Sequence, residues 1–91
     1  METNPALRMI KKVREVTRSA TTKLKEDKDN KFVLENTYKD LGGIIEKAEA
    51  KVAELTKSND IQSHELEAMD DATYFADEVK SKVGRRLGEI Q

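Results

Sequence analysis

From Leu34 to Leu55, apolar side chains return at alternating spacings of four and three residues: Leu34, Tyr38, Leu41, Ile45, Ala48, Val52 and Leu55. A strand repeats every two residues, so this pattern, sustained over three heptads, excludes one. It describes the seam of an α-helix packed lengthwise on another helix, as in a coiled coil. A chain built around such a segment is predicted to be all-α, with long amphipathic helices side by side.

The flanking sequence repeats the theme less strictly. Asn4 offers an N-cap and Pro5 a first helical residue, a pairing suited to a helix start. Ala6, Met9, Val13, Val16, Ala20 and Leu24 then form one apolar face. The pattern fades in Glu26-Asp27-Lys28-Asp29-Asn30, a weak turn signal. Ser58-Asn59-Asp60 is a second one, with Ser58 or Asp60 as the predicted cap. Beyond it Ile61, Leu66, Met69, Ala72, Ala76, Val79, Val83, Leu87 and Ile90 share a third face. The predicted helices span about residues 5–26, 31–57 and 60–90 of one helical domain. The expected architecture is an elongated antiparallel three-helix bundle, or helical hairpin, with coiled-coil-like packing.

Gly42-Gly43 interrupts the best of these patterns. Two glycines inside a helix cost about 2 kcal/mol relative to two alanines. Both fall off the apolar stripe, so close packing does not explain them. The repeat running on across the pair favours an unbroken helix over a turn. Two other layouts stay open: a hairpin about the glycines, with residues 27–30 helical, or a first helix detached onto another subunit.

Composition agrees with the helical reading and limits the core. Ala, Glu, Lys, Leu and Arg supply 43 of 91 residues, the share typical of long helices. Hydrophobic residues make up 36% and charged residues 38%. A small chain with so few apolar residues buries a thin core, and without cysteine it has no disulfide to reinforce it. Homo-oligomerisation is the expected supplement.

The net charge of −1 conceals strong segregation. Residues 6–25 carry seven Lys or Arg against one acid, Glu15; residues 59–79 carry seven acids and no Lys or Arg. Residues 80–86 turn basic again with Lys80, Lys82, Arg85 and Arg86. On the first helix Lys11, Arg14, Arg18 and Lys25 cluster on one side, away from its apolar face, beside Thr21 and Thr22. Such a row suits phosphate groups, whether of nucleic acid, nucleotide or membrane headgroup. It equally suits the acids of the third helix, which an up-down-up bundle would lay parallel to the first, setting residues 8–25 beside 60–78. Internal pairing is the expectation. No aromatic residue interleaves the cations to stack bases.

On the third helix Tyr74 projects opposite the apolar face, among Glu67, Asp70, Asp71, Asp77 and Glu78. An exposed tyrosine in that setting is a candidate protein-binding anchor, with Asp70, Asp71 and Glu78 as its charged surround. The carboxylates splay along a straight helix and supply no convergent metal cage. Asp27-Lys28-Asp29-Asn30-Lys31-Phe32 starts like a calcium loop, but Lys31 stands at a ligand position and Phe32 at the turn glycine. His64, the single histidine, has no nucleophile or metal-binding companion in a recognisable motif. Gly84-x-x-x-Gly88 permits close helix approach but is short. Lys31, Glu65 and Arg86 fall on core-type positions, where ionic residues fix register or sit at wet bundle ends.

No catalytic residue, cofactor or metal is therefore assigned. No apolar run is long enough for a membrane span, and a cytoplasmic location is expected. The expected function is that of a non-enzymatic helical interaction protein, an adaptor, scaffold or regulator, binding a protein partner or itself. The alternative is a phosphate-ligand or nucleic-acid binder using Lys11, Arg14, Arg18 and Lys25.

Overall fold

A computed structural model describes residues 4–90. Three helices follow one another, α1 (Pro5–Glu26), α2 (Lys31–Lys57) and α3 (Ser63–Glu89), and each packs on both others. They form an elongated bundle measuring 48 × 24 × 17 Å. At about 1.5 Å rise per residue the two longer helices account for its length.

Local chemistry sets the helix ends. Asn4 Oδ1 accepts from the backbone N–H of Ala6 and Leu7 at 2.9 and 3.1 Å, and Pro5 follows at the first helical position. Asn30 Oδ1 accepts from the Val33 N–H at 3.1 Å and starts α2. At the far end Asn59 takes a positive φ of 62°. The Asp60 N–H then donates to the Leu55 carbonyl and the Asn59 N–H to that of Thr56. These are the two bonds of a left-handed helix stop, satisfying carbonyls the helix leaves open. Neither Ser58 nor Asp60 caps α3: Gln62 does, and the helix begins at Ser63, three residues beyond the predicted start at 60. Glu65 closes the reciprocal bond, accepting from the Gln62 N–H at 2.9 Å.

The glycine pair lies inside an unbroken α2, with negative φ at both residues, so the hairpin layout is excluded. The detached-helix layout is excluded too, because Ile10, Val13 and Ala20 of α1 belong to the common core. That core adds Leu34, Leu41, Ile44 and Ala48 from α2, and Met69, Ala72, Ala76, Val79 and Val83 from α3.

Within the core, the α2 seam is rotated from the expected one. Its buried residues are Leu34, Thr37, Leu41, Ile44, Ala48 and Leu55, whereas Tyr38 remains 39% exposed and Ile45 and Val52 are half-buried. The cause is that α2 touches two neighbours. The centre of its buried stripe faces the bundle axis, and Tyr38, Ile45 and Val52 become the flank turned to α3. Thr37 lies at that centre, its hydroxyl donating to the Val33 carbonyl at 2.7 Å. Thr17 of α1, equally buried, does the same to Val13. Back-bonding to the preceding turn lets a hydroxyl enter an apolar core without losing its hydrogen bond.

The two ends of the bundle fix how α1 lies on α3. At one end the Asn4 side-chain amide donates to Glu65, a sequence separation of 61. At the other, Arg86 Nε donates to the Lys28 carbonyl at 2.8 Å, a separation of 58, while its guanidinium pairs with Asp29 and Glu89. Both ends of α1 therefore match the same ends of α3, and the two helices run parallel. Among the described residues no helix is long and apolar enough to cross a membrane.

Candidate interaction surface

Two adjacent aromatic side chains stand out of α3: Tyr74 is 70% exposed and Phe75 53%. Tyr74 lies opposite the buried Met69, Ala72, Ala76 and Val79, as the helical repeat requires. Asp70, Asp71, Asp77, Glu78 and Glu67 are all exposed around it. Phe75 is the member that the sequence pattern missed. It sits about 80° from the centre of the buried stripe, where a wheel does not say whether a neighbouring helix will cover it. Its side of α3 follows from Arg86, eleven residues or about three turns away, which reaches the α1–α2 connection. Phe75 thus flanks the groove between α1 and α3. Asp71 and Glu78, at i−4 and i+3, stand along the same edge.

Lys11, Arg14, Arg18 and Lys25 form the opposite edge of that groove. All four are exposed. Val16 and Lys23 line the side of α1 that faces α2, together with Asp40 and Lys47 of that helix. The four cations project to the other side, towards α3.

The expected internal pairing does not form. Among the described residues the ion pairs are Lys51–Glu54, Arg86–Asp29 and Arg86–Glu89, none joining α1 to the acids of α3. Axial register is one reason. The offsets of 61 and 58 set residues 8–25 beside about 69–83, not 60–78. Lys11, Arg14 and Arg18 are then level with about 71, 74 and 77, but Lys25 meets the basic stretch around Lys82. Spacing is the other. Asp71 and Glu78 stand on the far edge, with Phe75 between the two rows.

The remaining singled-out residues have structural places. Glu65 is the one charged residue among those described that is buried, at 5% exposure. Its carboxylate accepts from the Gln62 N–H and the Asn4 amide, and those two bonds, the backbone one foremost, hold its pKa below the usual 4.5. Arg86 clamps the α1–α2 connection, and Glu89 first, then Asp29, hold it in its charged form. Lys31 is exposed at the start of α2. Residues 27–32, the calcium-loop look-alike, form that connection, its Asn30 cap and the first two residues of α2, with Phe32 73% exposed. Gly84 seats the Tyr38 ring: a Cβ there would meet Tyr38 Cε2 at 3.0 Å, and Lys80 Nζ lies 5.0 Å from the ring centroid. A Cβ on Gly88 would meet nothing within 4 Å. Among the described residues no group of three or more His, Cys, Asp or Glu is placed to hold a metal ion.

No family model, no curated protein and no solved structure matches this chain.

Proposed function

We propose that this chain is a non-enzymatic interaction module that docks a protein partner on the outer face of α3, with Tyr74 and Phe75 as anchors. The observation that carries this reading is their joint exposure, 70% and 53%, in a bundle that buries Leu34, Leu41, Met69 and Val83 completely. Aromatic side chains dominate interface energetics because they bury a large rigid area at small entropic cost. Asp70, Asp71 and Glu78 form a charged rim suited to a basic partner surface. An enzymatic reading gains less support, since both oxygens of buried Glu65 are occupied in joining two helix starts. The test is capture of proteins on immobilised chain beside the Tyr74→Ser/Phe75→Ser variant, after thermal melts confirm equal folding. The wild type should retain species that the variant loses. Identical retention by both refutes the reading.

A second reading rests on the cations of α1, which form no ion pair among the described residues. Lys11, Arg14, Arg18 and Lys25 form a row able to contact a polyanion. Fluorescence anisotropy with labelled polyphosphate at 50 and 200 mM salt tests it. Binding that weakens steeply with salt and is lost in Arg14→Gln/Arg18→Gln supports this reading; salt-independent binding, or none, removes it.

A further inference from the structure

We propose that the partner of this surface is a second copy of the same chain, in a parallel dimer whose two-fold axis runs along the α1–α3 groove; this rests on the docking role assigned to α3. The argument begins with the charge on that face. One face of the bundle carries a basic edge on α1, Lys11, Arg14 and Arg18, and an acidic edge on α3, Asp71 and Glu78, both exposed. The edges do not neutralise each other within the chain. A two-fold axis along the groove between them carries each edge onto its opposite: α1 of one copy faces α3 of the other, twice over.

The axial register then decides whether like meets unlike. Rotation about an axis parallel to the helices leaves every residue at its own height. The heights are those set by Asn4 on Glu65 and Lys28 on Arg86. Lys11 of one copy therefore meets the level of Asp71 in the other. Arg14 meets Tyr74 and Phe75, a cation against aromatic faces. Arg18 meets the level of Glu78. An antiparallel two-fold would lay α1 on α1 and α3 on α3, setting the basic row of one α1 against the same row of the other. The parallel arrangement instead sets each basic row against an acidic edge.

The groove side of α3 brings Phe75 nearest the axis, so the two copies of this ring would meet at the centre. Charged rows then surround an apolar middle, the arrangement in which a hot spot is shielded from water. The area suffices. A face 48 Å long and two helices wide offers on the order of 900 Å² per copy, close to the standard interface of about 800 Å² per partner. Complementarity stops at Lys25, level with Lys82, so the C-terminal third of the face contributes least.

Charge reversal tests the pairing directly. Sedimentation equilibrium from 1 to 100 µM should show a wild-type dimer that weakens as salt is raised. Arg14→Glu/Arg18→Glu should be monomeric, and so should Asp71→Lys/Glu78→Lys, each retaining its helical circular dichroism. The milder Arg14→Gln/Arg18→Gln should dimerise at least tenfold more weakly. Mixed one to one, the two reversed variants should form a heterodimer, because both contacts become attractive again. The chain lacks cysteine, so a spin label at Ser63→Cys reports orientation: a parallel dimer gives a short lateral distance, not one near the 48 Å bundle length. A wild-type monomer at 100 µM overturns the dimer, including when that monomer binds polyphosphate. It leaves the α3 docking role standing if the Tyr74→Ser/Phe75→Ser variant still loses captured protein. A dimer unmoved by either reversal, a failed heterodimer, or a long label distance also overturns it.

Discussion

Alanine replacement of the helical glycines separates backbone preference from packing within a single chain. At Gly43 α2 is regular, φ is negative, and an added Cβ would meet nothing within 4 Å. No contact is lost and none is crowded, so the helix-propensity difference stands alone: Gly43→Ala should stabilise by about 0.5–1 kcal/mol. For a domain of this size that raises Tm by about 2–8 °C. Gly42→Ala should gain a similar amount, its Cβ coming to rest 3.6 Å from the Lys80 Cε, an ordinary contact with a mobile side chain. Gly84 is also helical, so the same propensity gain applies there. Its Cβ would press on the Tyr38 ring at 3.0 Å, however, and the ring must yield from its place beneath Lys80. Gly84→Ala should therefore gain nothing or lose. Thermal melts followed by circular dichroism, at matched concentrations because self-association raises apparent stability, give the three values. A Gly43→Ala variant that melts below wild type would show that α2 needs glycine there. A Gly84→Ala gain equal to that of Gly43→Ala would show that Tyr38 is not seated on α3.

Two further substitutions test the core and the helix-start junction. Leu41, fully buried at the bundle centre, should cost about 2–5 kcal/mol on replacement by Ala in urea unfolding. Half-buried Ile45 should cost clearly less, and equal losses would contradict the rotated seam. For Glu65 the pH dependence carries the information. Its folded pKa is depressed from 4.5, so its ionised form stabilises the fold fully above that value, and the contribution is lost as acidification protonates it. Glu65→Gln should unfold at lower urea than wild type at pH 7, with the two midpoints converging as the pH falls below 4.5. A gap constant across that range would show that the charge on Glu65 plays no part.

The sequence by itself determined the three helices and their faces. Asn4-Pro5 is a local signal, and the cap it specifies forms with atoms only two or three residues away. Spacing in threes and fours likewise told which side of each helix is apolar, and it set Tyr74 on the opposite side. The tertiary structure alone decided how deep each residue lies, because burial depends on how many neighbours a helix touches. With two neighbours, α2 centres its buried stripe near Thr37 and Ala48 and leaves Tyr38 as a flank packed on Gly84. Phe75 fell outside the sequence pattern for the same reason, since a flank is covered or bare according to what stands beside it. Register along the axis was equally invisible. It is set by Asn4 on Glu65 and by Arg86 on Lys28, contacts 61 and 58 residues apart in the chain. Those two contacts align Arg14 with Tyr74 rather than with the start of α3. Opposite charges that composition alone would pair inside the molecule are thereby left in two separate rows on its surface.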